Sequence, residues 1–292
     1  MLDKIKYALL NFGLKTMSVD EKIVRLFLRT NPSNVNEIVI IPIVKQVKSL
    51  LLSKLSNKKD HGRICNGLLN GVKVSIIRSL VGAPNAAITV ESLRRCKTKV
   101  ILRVDYCGGI FNQDKKIAIG DILIPNLSYC GDGTSPQYLL KYINNVKNIR
   151  FIPNPFQESL DLGIGSNKVI ISEPDVDLNQ IILNQAISQG LKQVKNVDFW
   201  TTDALFCETN EFILTLSKIG VQGIDMENSI LFLLSKLYGI KSTSILSVSD
   251  LPTHPQYDLF NSNIVNPNFE KGMKNSIDLL FNILPEISSN LA

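Results

Sequence analysis

Short apolar runs rich in β-branched residues alternate with helix-period segments along most of the chain, and this alternation constrains the fold more than any other feature. Residues 38–44 (IVIIPIV) read as a buried strand, 45–55 as a helix and 72–79 as an alternating strand. Pro84 suits the first turn of a helix that continues through PNAAITVESLRRC. Strands are expected at 99–105 and 121–126, a helix at 178–191, and a strand leading into Phe199-Trp200. Helix 211–219, strand 221–226, helix 227–238, strand 242–249 and a last helix at 269–284 complete the order. The pattern specifies an α/β fold: a single domain with a mixed, largely parallel central sheet flanked by helices. Ligands in such folds bind beyond the carboxyl ends of strands, which directs attention to the residues just after Arg103, Met226 and Ser249.

Residues 1–30 place Ile5, Leu9 and Phe12 on one helical face and Ile23, Phe27 and Leu28 on another, ahead of the break Asn31-Pro32-Ser33-Asn34. The segment reads either as a helical N-terminal extension or as the first helix pair of the core. We divide the chain at that break, into 1–30 and a main domain at 31–292. The net charge of +6 hints at an anionic partner but is too small for a dedicated nucleic-acid binder. The surplus lies in residues 1–63, which hold 12 basic and 5 acidic groups, and is densest from Lys45 to Arg63.

Five cysteines, an odd number without a CxxC pair, point to reduced thiols rather than a disulfide framework or a zinc knuckle. Two histidines are too few for a multi-histidine metal site. No apolar run approaches the about 18 residues of a membrane span, and the first residues lack a signal-peptide core. A cytoplasmic protein with no metal, no membrane and no nucleic-acid partner is therefore expected.

Three strand ends carry unusual polar groups. In ILRVDYCGGI (101–110) Arg103 sits inside an apolar strand, where a permanent charge requires an anion, either a structural carboxylate or a ligand. In GIDMENSILFLL (223–234) Asp225 and Glu227 are two apart at a strand-to-helix junction, so both carboxylates can face one pocket; alternatively Glu227 favours the helix dipole. In ILSVSDLPTH (245–254) Asp250 ends an apolar strand, placed either as a proton donor with a raised pKa or as a turn aspartate.

Taken in order, these segments resemble the nucleoside phosphorylase family, which includes purine nucleoside phosphorylases, uridine phosphorylases and nucleosidases. The resemblance runs over most of 37–282: VGAPNAAITVESL (81–93), RVDYCGGI with IAIGDILIP (117–125), GDGTSPQYL (131–139), FWTTDALFCET (199–209), IDMEN (224–228) and SVSD (247–250). It implies cleavage of the N-glycosidic bond between ribose and a nucleobase by phosphate, giving free base and ribose 1-phosphate. No organic cofactor is implied, since inorganic phosphate is the co-substrate, and a homo-oligomer is expected. By the resemblance Glu227 holds the ribose hydroxyls with Met226 against the sugar, Asp250 protonates a purine, Arg103 grips phosphate and Phe206 stacks on the base. Asp225 and Gly82 of the 81–93 turn join the substrate-binding set.

Two departures bear on this. Many members carry a Gly-Asp-Pro turn and an arginine after the first strand; this chain has IPIVKQVK (41–48). A Ser or Thr usually precedes the Cys/Ala-Gly pair, where this chain has Tyr106 after Asp105. Lys45, Lys48 and Arg63 are candidate substitutes. The positions nearest the family's uracil readers hold Thr209 and Glu211, which favours a purine. Hydrolysis by water, uridine phosphorolysis and non-catalytic nucleoside binding remain the alternatives.

Overall fold

The β-branched runs and the polar edges of the sequence build one sheet. The computed structural model describes residues 13–111, 116–142, 149–156 and 167–291, together with Tyr7 and Asn11. Its strands are β1 (Ile38–Ile41), β2 (Ser56–His61), β3 (Ile64–Leu69), β4 (Val72–Ile77), β5 (Val100–Gly109), β6 (Ile122–Gly131), β7 (Arg150–Pro153), β8 (Lys168–Ser172), β9 (Val194–Thr202), β10 (Val221–Asp225) and β11 (Lys241–Asp250). The described helices are α1 (Val19–Leu28), α2 (Lys45–Lys54), α3 (Ala83–Leu93), α4 (Thr134–Tyr142), α5 (Val176–Ser188), α6 (Asn210–Lys218), α7 (Asn228–Leu237) and α8 (Asn268–Ser289).

The 11-stranded sheet runs β2-β3-β4-β1-β5-β10-β9-β6-β8-β7, with β11 pairing both β5 and β6. It is mixed, as expected: β1, β4, β5 and β11 pair in parallel, whereas the edges are the antiparallel pairs β2–β3 and β7–β8. Because β10 meets β5 and β11 meets β6, the strands β5, β10, β9, β6 and β11 close into a ring. Cys107, Leu123, Val197, Phe199, Leu246 and Val248, from four of those strands, pack against one another. Such closure leaves these strands without free edges.

Alternation along β5 divides its side chains between two cores. Val100, Leu102 and Val104 pack with α2, α5 and α8, whereas Ile101 packs with α1, α3 and α7. Arg103 and Asp105 share the second parity and Tyr106 the first. Tyr106 accordingly joins the first core, stacked on Phe269 of α8 with ring centroids 4.6 Å apart.

The basic run 45–63 is dispersed by the fold. Lys58 and Lys59 lie on the exposed outer strand β2, where charge discourages edge pairing. Lys54 pairs with Asp278 at 2.5 Å, and Arg63 donates to the carbonyls of Phe27 and Arg78. No strand is expected at β2 from sequence, because SNKKDH has no apolar alternation. The last helix, expected to end at Leu284 before Pro285, instead continues to Ser289 as α8 and buries Ile287. A mid-helix proline costs about 3 kcal/mol, and the burial of Ile283, Leu284 and Ile287 offsets it.

Within 1–30, Ser18 and Glu21 form a capping box at the start of α1, and Val24 and Leu28 pack with Val35, Ala86 and Val90. Ile5, Leu9 and Phe12 lie outside the described residues. All five cysteines are free, and no described helix is long and apolar enough to cross a membrane.

Candidate active site

Two of the three strand ends singled out in the sequence meet at one buried guanidinium. Arg103, on β5, is 3% exposed. Its Nη1 donates to Asp225 Oδ2 at 2.5 Å and to Asn228 Oδ1 at 2.9 Å, and its Nη2 donates to Glu227 Oε2 at 2.6 Å. The anion that its burial demands is thus supplied by the IDMEN junction between β10 and α7, which brings two carboxyl groups to it. Its Nε has no partner among the described residues.

The junction is braced from several directions. Asp225 Oδ1 accepts the Thr201 hydroxyl at 2.7 Å, and its Oδ2 accepts the Asn228 amide at 2.9 Å. Thr201 Oγ1 in turn accepts the Ser229 amide. Asp132 caps α4 through the amides of Thr134 and Ser135 and accepts the Ser229 hydroxyl at 2.6 Å. The GDGTS and WTTDA segments therefore meet at Ser229, and Thr201 carries the link on to Asp225. Its oxygens are all engaged internally, so it positions Arg103. Gly82, at φ +97, aims its N–H at Glu227 Oε1 over 2.7 Å. An L side chain is strained at that φ. Glu227 is buried, which lifts its pKa to about 7 against the pull of Arg103. Met226 between the two acids is half-buried.

The second part of the site lies at the end of β11. Asp250 pairs in register with Gly108. A Cβ on Gly108 would stand 2.6 Å from Ile224 and 3.2 Å from Pro252, so the Gly-Gly pair permits the close approach of β5, β10 and the β11 end. Asp250 is 8% exposed, and burial raises its pKa to about 6, with the Asp258 charge adding and the Ser249 hydroxyl bond opposing. Asp258 is held below its ordinary value, because the amides of Thr253, Phe260 and Asn261 outweigh its burial.

Asp250 and Asp258 line a cavity of about 280 Å³ with Phe206, Glu208 and Phe260. Phe206 is 85% exposed and stacks on Phe260 at 5.1 Å. Glu208 was not singled out in the sequence. Burial, then the charges of Asp250 and Asp258, push its pKa up to about 8, so at neutral pH it is a carboxylic acid able to donate one hydrogen bond and accept another. The only sequence signal for it was its place in LFCET. Thr209 and Glu211 line a different, larger cavity of about 980 Å³ with Trp200 and Phe212, so they do not face Asp250.

The first-strand turn holds the remaining feature. Asp105 Oδ2 accepts the N–H groups of both Ile43 and Val44, the latter at 3.0 Å, and its Oδ1 accepts the Tyr106 amide at 2.8 Å. Burial raises its pKa, opposed by Arg103 and by these amides. On the other side of the turn Arg78 Nε donates to the Ile43 carbonyl at 2.7 Å. Among the described residues no three His, Cys, Asp or Glu side chains converge to hold a metal ion.

Helices on both faces of a mixed sheet, with titratable groups gathered at the strand ends, define an α/β protein with a candidate site at those ends. The family model described as the phosphorylase superfamily matches residues 41–285, and the chain belongs to that superfamily. It is 28% identical over 185 residues to a DeoD-type purine nucleoside phosphorylase of Buchnera aphidicola, a match covering 63% of this chain and 65% of that protein, just under two thirds of its length. It is 22% identical over 226 residues to a guanosine phosphorylase of Halorubrum lacusprofundi, covering 76% and 81%. Its fold is shared with the purine nucleoside phosphorylase of Toxoplasma gondii in complex with immucillin-H, at a TM-score of 0.69 and 18% identity over 90% of this chain and 96% of that one. A uridine phosphorylase of Vibrio fischeri aligns at a TM-score of 0.61 and 19% identity over 86% and 90%.

Proposed function

We propose that the chain cleaves the N-glycosidic bond of a purine nucleoside. The observation that carries this reading is the pairing, around one cavity, of two protonatable carboxyls, Asp250 and Glu208, with the exposed ring of Phe206. Cleavage places negative charge on the departing base and positive charge on the sugar. Asp250 supplies the proton that a purine nitrogen accepts, Glu208 offers a donor and an acceptor to the base edge, and Phe206 gives it a stacking surface. Glu227 takes the ribose hydroxyls, with Arg103, Asp225 and Gly82 fixing its position and Met226 beside the sugar.

Two acceptors are open to the sugar. Phosphate gives ribose 1-phosphate, as the family resemblance and the names of the relatives support. Water gives ribose, and a specific observation favours it: the Asp105 carboxylate already sits on the amides of Ile43 and Val44. Purine over uracil is supported by Thr209 and Glu211 lining the other cavity.

Incubating the full chain with inosine, adenosine, guanosine and uridine, with and without phosphate, and separating the free bases tests the reading. Purine release well above uracil release is expected. Tight nucleoside binding without base release from any of them would replace catalysis with a binding role.

A further inference from the structure

We propose that Asp258 is a positioning residue for the cleavage proposed above: a buried carboxylate that clamps the loop after β11 in a strained shape and so builds the wall of the cavity that Asp250 and Phe206 share. The inference rests on that cleavage for its consequence, though not for its geometry.

Between β11 and α8 the chain crosses residues 251–267 without helix or strand. Asp258 lies in the middle of that stretch yet is only 8% exposed. Its Oδ2 accepts the Thr253 N–H at 2.8 Å. Its Oδ1 accepts the N–H groups of Phe260 at 2.9 Å and Asn261 at 3.0 Å, with the Asn261 side-chain amide at 3.0 Å. One side chain therefore ties a residue five positions back to residues two and three positions ahead. The backbone adds short turns, in which Leu251 donates to the Tyr257 carbonyl and Asp258 to that of His254.

The shape held by this clamp is strained. Thr253 has φ +66, and it is the one β-branched residue with a positive φ among the described residues. A β-branched side chain leaves that region unless its surroundings over-determine it. Two constraints act here. Pro252 packs on Gly108, where an added Cβ would stand 3.2 Å from the proline ring, and the Thr253 N–H is fixed on Asp258.

The loop contributes Thr253, Leu259 and Phe260 to the cavity that holds Asp250, Phe206 and Glu208. Phe260, whose N–H sits on Asp258, stacks on Phe206 at 5.1 Å. These rings are 54% and 85% exposed, so the shape of the loop, rather than a packed core, keeps them together. Asp258 also acts on Asp250 as a charge. Burial raises both Asp250 and Glu208, and the Asp258 charge adds to each. The other titratable groups against Asp250 are Glu208 from the turn after β9, the Cys107 thiol on β5 and Tyr257 of the loop. Burial keeps Glu208 and Cys107 protonated at neutral pH, which leaves Asp258 as the standing negative charge. A turn aspartate that only closed the loop would make the same amide bonds, and its loss would lower stability without moving Asp250 or the base.

The test uses the full chain in three forms: native, Asp258→Asn, and Asp258→Asn combined with Thr253→Gly. Asparagine keeps the acceptor for Phe260 and Asn261 but loses the charge and the acceptor for Thr253. Glycine adopts a positive φ without strain. Affinity for an inosine analogue joined to ribose through carbon, which cannot be cleaved, is measured calorimetrically. The Asp250 carboxyl is titrated by carbon NMR, its signal assigned by its absence from Asp250→Asn, and base release from inosine is followed alongside.

Asp258→Asn should bind the analogue about tenfold more weakly, as the stacked pair loosens. Its Asp250 midpoint, near 6 in the native chain, should fall by about half a unit or more, so that about threefold fewer molecules carry the proton at pH 7.5. At that pH kcat/KM for inosine should fall about 30-fold. Adding Thr253→Gly should restore affinity to within about threefold of native, while the Asp250 midpoint stays low.

A folded Asp258→Asn with affinity within about twofold of native, or with an unmoved Asp250 midpoint, overturns the inference. So does a double variant that binds no better than the single one. Should Asp258→Asn fail to fold, the double variant takes its place in the titration, and a native midpoint there overturns the inference. Should no nucleoside release its base from the native chain, the proposed cleavage falls, whereas the analogue affinities and the Asp250 titration still decide the clamp.

Discussion

Asp250 gives the sharpest test of the base-leaving chemistry. Its carboxyl is lifted to about 6, first by burial and then by the neighbouring Asp258 charge, which stays ionised because three amides hold it. As a proton donor Asp250 must be protonated, so purine release falls as pH rises. About half of the molecules carry the proton at pH 6 and about 1% at pH 8, a loss of about 50-fold across that interval. Glu208, near 8, keeps its proton over most of the same range and adds little to the slope. Glu227, near 7, titrates within it on inosine and on a control riboside alike, so the Asp250 contribution is the difference between the two profiles. Asp250→Asn keeps the size of the side chain and removes the acid, and kcat/KM for inosine should fall about 100-fold. The control is a riboside whose leaving group needs no proton, such as p-nitrophenyl riboside. Its cleavage should change less than about threefold in Asp250→Asn and show no comparable slope with pH. Initial rates on both substrates for native and variant protein make the measurement. Native profiles between pH 6 and 8 that are parallel on the two substrates, or an equal loss on both in Asp250→Asn, would refute proton donation by Asp250.

Three further outcomes are expected from the packing. Gly108→Ala puts a Cβ 2.6 Å from Ile224 in a closed ring of strands, and should lower stability by about 1–3 kcal/mol in urea unfolding. Thr201→Val removes the hydroxyl shared by Asp225, Ser128 and the Ser229 amide, leaving buried groups without partners; a loss of about 1–3 kcal/mol is expected in the same assay. Phe206→Ala should leave stability within about 0.5 kcal/mol, since the ring is exposed, yet raise KM for inosine about tenfold by removing the stacking surface. An unchanged KM would take Phe206 out of the base site.

The central strands and the site residues they carry were legible because their signals are local. β5 and β11 announce themselves as apolar runs, and Arg103 and Asp250 stand out as the charges that interrupt or end them. Edge strands gave no such signal: β2 is exposed along most of its length, so nothing selects for alternation there. Ring closure was equally hidden, because the β10–β5 and β11–β6 contacts each rest on two register pairs between distant segments. Asp105 was visible as an anomaly, but its partners are 61 and 62 residues away, and only the fold brings them together. The same holds for Arg103, whose anion could be a ligand or a carboxylate until β10 was placed. Glu208 shows the converse case. Its residue type was plain, but its burial beside Asp250 depends on a turn after β9 that has no periodicity to read.

The ring of strands also governs how the molecule is made. β5 and β11 lie side by side, and the Ser249 hydroxyl contacts the Cys107 carbonyl across 142 residues of sequence. Arg103 therefore lacks its final sheet environment, and Asp250 its neighbour Gly108, until nearly the whole polypeptide has emerged and its two halves have met. Loops of that span close late, and folds dominated by distant pairings form slowly. Helix content should accordingly recover early on dilution from denaturant, with ligand recognition returning only in the slowest step.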